Sequence, residues 1–463
     1  MSKADDLLAE LDESQRQVAT AAAPVAVLAG AGSGKTRAIT YRIAYQVAIG
    51  GYRPESVLAV TFTSRAAQEL RQRLAMLGVH ATARTFHSAA LRQISFFWPK
   101  AYGFELPKVL PDRSGLLTEV LIDLQLPANE VALRELSTEI SWAKTSNITF
   151  SDYAELASGA HRSSAELEPQ DIARALGRYE YAKSAQGWID FDDVLLCCCA
   201  MLDENPGIAY QVRDTYQHLV VDEYQDVSGL QQSLLRLWTG EGQDLCVVGD
   251  PAQTIHSFAG ATPKYLLGFG SEHPDAEIVK LDWDYRSTPQ IVALANHVAG
   301  FNAMPPAPLR SVQPDGPAPL LIAHSSDEDE ALGIADWLRE RRRSQFTWDE
   351  MAVLYRVHAQ GELLRRVLQD AGIPVWVRQS EETGQLPSDR VTLTTLHAAK
   401  GLEWQAVAMA GVQEGSLPFA LAVTGSQLAE EARLCYVGVT RAKRELRVSW
   451  VRQPSRFLPL PVR

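Results

Sequence analysis

Residues 28–37 read "LAGAGSGKTR". Gly34, Lys35 and Thr36 end the run as a phosphate-binding loop ends, although Ala29 stands where the G-x-x-x-x-G-K-[ST] pattern has its first glycine. The flanks decide the reading. Residues 24–29, "PVAVLA", have the apolar content of a short buried strand, and residues 36–49 follow a helical pattern. Phosphate requires a strand, a turn of small residues and a helix: backbone N–H groups then point into the turn, and the helix N-terminus adds partial positive charge. In such a loop Ala29, Gly30, Ala31, Gly32, Ser33 and Gly34 wrap the phosphates. Lys35 reaches the β- and γ-phosphates, and the Thr36 hydroxyl binds Mg²⁺. Alanine is acceptable in the first slot if its φ is negative, which leaves Gly30, Gly32 and Gly34 as the flexible positions. The plain alternative is a glycine-rich turn without a ligand, but a Lys-Thr pair correctly placed after a strand argues against it.

Such a loop needs an acidic partner. Residues 217–226 read "QHLVVDEYQD", a second buried strand ending in Asp222 and Glu223. One carboxylate at a strand end holds Mg²⁺ through water and its neighbour activates the attacking water. Asp222 is assigned to the metal and Glu223 to the base. A third strand, "DLCVVGD" at 244–250, leads to Gln253, which is placed to sense a γ-phosphate. Buried strands alternating with helices imply a parallel, doubly wound α/β core.

A chain of 463 residues exceeds one core and fits about two to four domains. No run of about 18 apolar residues is present, so no membrane span is expected. The first residues, "MSKADDLLAELDESQRQ", lack the apolar stretch of a signal peptide, and a cytoplasmic protein is expected. The five cysteines form no C-x-x-C pair; the run Cys197, Cys198, Cys199 lies in "VLLCCCAML" and reads as core packing in a reducing compartment. Lys and Arg number 44 against 56 Asp and Glu, a net charge of −12. That balance opposes tight nucleic-acid binding, since phosphate contacts need cations. It does not exclude a local basic channel on an acidic body.

Ten stretches now stand in order: "LDESQRQVA" at 11–19, the loop, "AVTFTSRAAQELRQRL" at 59–74, "ARTFHSAALR" at 83–92, "DFDDVL" at 190–195, "VVDEYQDVSGLQ" at 220–231, "VVGDPAQTIHSFAGA" at 247–261, "LDWDYRSTPQIVALAN" at 281–296, "VTLTTLHAAKGLEW" at 391–404 and "EEARLCYVGVTRAKREL" at 430–446. The set resembles that of superfamily 1A DNA helicases of the UvrD, Rep and PcrA type, over nearly the whole chain, and its details look closest to an actinobacterial UvrD-like branch. The resemblance implies two RecA-like motor domains with parallel sheets, a helical insertion, ATP and Mg²⁺. It implies that Gln15 reads adenine, Tyr285 stacks on the base, Arg37 lies beside the nucleotide, and Glu403 lies near the ribose. Arg286 and Arg441 match two arginines that reach the γ-phosphate, a task suited to an always-charged, bidentate guanidinium. A surface salt bridge is their plain alternative. On the DNA side, Phe62, His87, His256, Phe258 and His397 match strand-contacting positions, where aromatics stack on any base without reading sequence. Thr63, Thr85 and Lys400 are candidates for holding phosphates. Core packing is the alternative for Phe62 and Phe258.

The chain departs from the family pattern in three places. His256 replaces a larger aromatic, and Ala259 replaces a common arginine. Between Val377 and Val391, where the family inserts a helical subdomain called 2B, only "RQSEETGQLPSDR" at 378–390 remains, a polar stretch with the signals of a surface loop. Neither 2B nor the HRDC module of the related branch is expected. The resemblance then places motor domain 1A at 1–88 and 189–280, helical subdomain 1B at 89–188, and motor domain 2A at 281–463. A Pro-rich stretch at 303–319 reads as an extended loop. The helix pattern at 327–344, acidic first and basic last, suits the helix dipole, and its arginines read as a solvated end rather than a DNA site.

Two functions fit. One is an ATP-driven 3′→5′ single-stranded DNA translocase and helicase of repair or replication, acting on single strands and duplex junctions. The other is an ATP-gated DNA-binding motor subunit that needs a protein partner to unwind. The oligomeric state is open. A nuclease has no support, because no further carboxylate cluster with lysine stands outside these motifs.

Overall fold

The computed structural model describes residues 2–160, 162, 164–240, 244–257, 260–302, 308–344, 346–378 and 388–459. The chain divides into two compact units: residues 1–26, 38–248 and 256–279 form the first, and residues 27–37, 249–255 and 280–463 the second.

Eight strands begin in the first unit: β1 (Val25–Ala29), β2 (Val57–Thr61), β3 (Thr82–Thr85), β4 (Lys108–Val109), β5 (Trp188–Ile189), β6 (His218–Val221), β7 (Asp244–Gly249) and β8 (Glu277–Leu281). Six join in the order β3-β2-β6-β7-β1-β8. β2 runs parallel to β3 and β6, and β6 parallel to β7. Every residue of β2 is buried, as a strand covered on both faces requires. The strands expected at 24–29, 218–221 and 244–250 all form, and the helix after the first runs Lys35–Ala48.

Four helices, Ser114–Asp123, Glu130–Thr145, Tyr153–Gly159 and Pro169–Ala185, pack around a separate core that includes Leu117, Leu121, Leu136, Ile140, Ile172 and Leu176. Local chemistry starts them. Asn129 accepts the Ala132 N–H at 2.9 Å, and Pro169 occupies a first-turn position that needs no N–H donor. A buried ion network ties this bundle to the start of the next helix, Asp193–Glu204. Lys144 Nζ lies 2.6 Å from Asp190 and 2.7 Å from Asp193, and Lys183 also pairs with Asp193. Burial alone would push the Lys144 pKa down, but Asp190, Asp193 and Glu180 together raise it. The Tyr179 hydroxyl donates to Asp190 at 2.8 Å, completing the carboxylate's partners. On the same helix Cys198 is buried, whereas Cys197 and Cys199 are half-buried at its flanks; Cys246 and Cys435 are buried, and all five are free thiols.

The second unit adds β9 (Trp283–Asp284), β10 (Arg310–Ser311), β11 (Leu320–Ala323), β12 (Met351–Tyr355), β13 (Val375–Val377), β14 (Val391–Thr395), β15 (Trp404–Met409) and β16 (Ala442–Trp450). Its six-stranded sheet has the order β11-β16-β15-β12-β14-β13 and is parallel throughout. Side chains alternate between two cores as the strand period of two demands. Ala352, Leu354, Val407 and Met409 enter one core, and Met351, Val353, Ala406 and Ala408 the other. Full burial of each larger side chain contributes roughly 1.5–3 kcal/mol. The Pro-rich stretch is not wholly extended loop: β10 forms inside it and pairs in parallel with β9, while residues 303–307 lie outside the described residues. The helix Asp327–Ser344 opens on four acidic residues and closes on Arg341, Arg342 and Arg343, with Arg341 paired to Glu445. No helix among the described residues is long and apolar enough to cross a membrane.

Candidate functional site

The loop at 29–37 belongs to the second unit. Gly32 and Gly34 adopt φ of +71° and +78°, values that side chains rarely take, while Ala29 and Gly30 are not among the positive-φ residues. Gly30 is therefore needed for space, not for flexibility: a Cβ there would lie 2.3 Å from Leu309 Cδ2. Gly32 meets both demands, since a Cβ would also lie 2.5 Å from an Asp284 carboxylate oxygen. The Ser33 hydroxyl donates to the Gly30 carbonyl at 2.8 Å and tightens the turn. Lys35, Thr36 and Arg37 open the following helix. Two residues not singled out from sequence hold the loop. The Tyr436 hydroxyl accepts the Ala31 N–H at 3.3 Å, and Asp284 packs under Gly32 while accepting the Arg286 and Ser287 N–H groups at 2.6 and 2.8 Å. Burial raises the Asp284 pKa, against the lowering effect of those N–H groups, Arg286 and Arg441. The Tyr285 N–H donates to the Gly32 carbonyl at 2.9 Å, and its ring is 39% exposed.

Around this loop the same unit gathers the remaining γ-phosphate candidates. Gln253, the last residue of a short turn that Asp250 caps, donates through Nε2 to Asp250 at 2.7 Å and accepts from Arg441 at 3.4 Å. Arg441 is buried, held by the carbonyls of Val437 and Leu402 at 2.9 and 3.0 Å, so the surface salt-bridge alternative does not describe it. Arg286 does form a salt bridge, at 2.5 Å to Glu403, whose second oxygen lies 2.7 Å from Lys443. Burial pushes the Glu403 pKa up, but Arg286, Lys443 and Arg441 outweigh it and hold the carboxyl below its ordinary range. Lys400 donates to the Gln253 carbonyl at 2.6 Å. His397 is shifted down to about 4, by burial first and then by Arg356 and Lys400, and is neutral near pH 7.

In the first unit, Gln15 is buried on the helix Glu13–Thr20, whose start Asp12 caps. Asp222 and Glu223 follow β6. The Asp222 N–H continues the ladder to Val60 at 2.8 Å, and Asp222 accepts the Glu223 N–H at 2.9 Å. Glu223 has φ +55°, a left-handed conformation that costs a non-glycine residue roughly 1–3 kcal/mol. Its carboxylate accepts from the Gln225 amide. The chain leaves its strand by this turn.

The DNA-side candidates of this unit form two ring pairs. Phe62 and His256 stack with centroids 5.5 Å apart and planes 14° apart, and Phe62 is 40% exposed rather than buried in a core. His87 stacks on Phe191 at 4.3 Å and 11°. Phe191 is exposed and was not singled out from sequence, although it stands inside "DFDDVL". Burial lowers the His87 pKa to about 4, against the opposing charge of Asp192. Thr63 and Thr85 are helix N-caps, each accepting at 3.1 Å from the N–H three residues on. Both therefore sit where helix N-termini favour anions. Phe258 and Ala259 lie outside the described residues.

The comparisons with known proteins agree along the chain. Residues 11–274 match the UvrD/REP helicase N-terminal domain, and residues 279–383 and 377–453 match the UvrD-like helicase C-terminal domain. The chain is 36% identical to "ATP-dependent DNA helicase UvrD2" of Mycobacterium tuberculosis, covering 98% of this chain and 82% of that protein. It is 31% identical to "ATP-dependent DNA helicase PcrA" of Leuconostoc citreum over 77% of this chain and 48% of that protein. It is 34% identical to "ATP-dependent DNA helicase UvrD1" of Mycobacterium bovis, over 81% of this chain and 50% of that protein. With two parallel α/β sheets, a phosphate loop and both domain matches in hand, the chain belongs to the UvrD/REP helicase family.

Proposed function

We propose that this chain is an ATP-dependent 3′→5′ single-stranded DNA translocase and helicase. One observation carries the ATP half of the reading: a buried guanidinium, Arg441, is hydrogen-bonded to Gln253 in the unit that holds the phosphate loop. A buried cation aimed by two carbonyls and an amide is prepared to meet an anion, and a γ-phosphate suits it. Lys35 and the loop N–H groups bind the β- and γ-phosphates, Tyr285 stacks on the base, and Gln15 reads its edge. Thr36 and Asp222 are hard oxygen donors that fit Mg²⁺, which would neutralise phosphate charge. Glu223 takes the proton from the attacking water.

The exposed Phe62–His256 and Phe191–His87 stacks support a single strand as the other ligand, because paired aromatic rings offer faces to bases of any sequence. Thr63 and Thr85 add helix N-termini for phosphates. The neutral state of His87 suits stacking rather than charge pairing. We assign 1–88 and 189–280 to motor domain 1A, 89–188 to subdomain 1B and 281–463 to motor domain 2A, with 378–390 in place of 2B. In support of that last assignment, the UvrD2 alignment spans 573 residues, more than the 463 of this chain. The family's strand polarity and a role in repair or replication complete the proposal.

ATP hydrolysis measured with and without single-stranded DNA tests the reading, with strand separation followed in parallel. Turnover that rises strongly with single strands supports it. Turnover indifferent to DNA overturns it. Stimulated turnover without strand separation favours the motor subunit that needs a partner.

A further inference from the structure

Among the groups around the phosphate loop, the proposed function assigns no task to Lys443, and Glu403 makes contacts that a ribose partner alone does not explain. The Glu403 carboxylate is bridged by two cations, with Oε2 2.5 Å from an Arg286 terminal nitrogen and Oε1 2.7 Å from Lys443 Nζ. The other terminal nitrogen of Arg286 faces the Thr440 carbonyl at 3.4 Å. All four residues are part of one unit, and Lys443 follows Arg441 by two positions.

We propose that Glu403 is a latch on Arg286 and that Lys443 is the residue that lets the latch open. The inference rests on Arg286 serving the γ-phosphate. A γ-phosphate competes with Glu403 for the same guanidinium. If Arg286 left a lone half-buried carboxylate behind, its departure would cost the full loss of that pair. Lys443 already holds the other oxygen, so Glu403 keeps a partner when Arg286 turns to phosphate. Lys443 thus lowers the cost of release and is a positioning residue, acting through Glu403 rather than on the nucleotide. Side-chain exposures of 23% for Arg286, 38% for Glu403 and 31% for Lys443 mean that solvent screens the pairs, so the effect is modest.

The test is a double-mutant cycle on kcat and KM for ATP at saturating single-stranded DNA. Lys443→Met should lower kcat by roughly threefold, because Glu403 then grips Arg286 alone. Lys443→Arg should restore it. Glu403→Gln should raise kcat by a similar factor under the same conditions. The double variant should match Glu403→Gln alone, since Lys443 has nothing left to act through. Independent, multiplicative effects of the two substitutions overturn the latch, as does an unchanged kcat for Lys443→Met. Arg286→Ala separates the two levels. If it abolishes turnover while the other two substitutions act independently, only the latch falls. If it leaves turnover intact, the assignment of Arg286 to phosphate falls and the latch with it.

Discussion

Gly30 is required by a neighbour and not by its own backbone, and this can be measured. Its φ is not positive, so alanine is conformationally admissible there. The obstacle is Leu309, whose Cδ2 would lie 2.3 Å from the new Cβ, against 3.4–4 Å for ordinary contact. Leu309 is 7% exposed and belongs to the core shared with Ala31 and Ile291, so it has little room to retreat. Overpacking of this kind costs roughly 1–3 kcal/mol. Alanine returns about 0.4–1 kcal/mol by restricting the unfolded chain, leaving a net loss on the order of 1–2 kcal/mol for Gly30→Ala. Leu309→Ala alone should cost roughly 2–5 kcal/mol by leaving a cavity. The double variant should be more stable than the sum of the two by at least about 1 kcal/mol, because the new methyl group enters that cavity. Gly32→Ala offers the contrast: its φ of +71° keeps the strain even if Asp284 is shortened, so no partner change rescues it. Urea midpoints and titration with a fluorescent nucleotide would be read for each variant. If Gly30→Ala is as stable as the parent, or if its cost adds fully to that of Leu309→Ala, the steric argument is refuted.

Glu223→Gln should keep nucleotide affinity but lose turnover, since an amide accepts no proton from water; hydrolysis near the parent rate would remove Glu223 from the role of base. Arg441→Ala should slow hydrolysis by roughly 10³ or more with little loss of DNA affinity, and an unchanged kcat would return it to a structural part. Phe62→Ala should weaken single-stranded DNA binding by about 1–3 kcal/mol while leaving the melting temperature nearly unchanged, because the ring is 40% exposed; lowered stability with equal DNA affinity would restore the core reading. His87 and His397 are both lowered to about 4, so their ring signals in NMR should be flat from pH 8 to pH 5 and move only near pH 4. Their linkage has a definite sign: the unfolded chain protonates these rings near pH 6.5 and the folded chain does not, so stability falls as pH drops from about 6.5 towards 4.

The elements that sequence reading reached are those whose residues act locally. "PVAVLA", "HLVV" and "DLCVVGD" are apolar runs bounded by turns, and each forms a buried strand. The helix at 327–344 carries its ends in its charges. What escaped depends on distant partners. Nothing in "RSVQP" indicates that Leu309, just before it, presses on Gly30. Nothing local marks Tyr436 as the acceptor for Ala31, 405 residues away. Asp284 looked like part of the Tyr285 and Arg286 motif, yet its carboxylate packs under the phosphate loop. Phe191 had a legible signal, an aromatic flanked by three aspartates, but only the fold shows His87 beneath it. Turn chemistry assigns flexibility to all three glycines of the loop, whereas packing against Leu309, which sequence does not display, explains Gly30.

Sequence reading expects no further carboxylate cluster with lysine, yet folding brings Glu180 to Asp190 and Asp193 beside Lys144 and Lys183, three carboxylates within 4.8 Å of one another, the spacing of a divalent-cation site. Here the ammonium groups of Lys144 and Lys183 already occupy their oxygens. The helical bundle is thus fastened by resident side chains whose supply never fluctuates, where a metal-fastened one would loosen under a chelator. Titrating free magnesium should leave this attachment untouched, so any magnesium dependence of the chain's behaviour reports on its ligands and not on the fastening of the bundle.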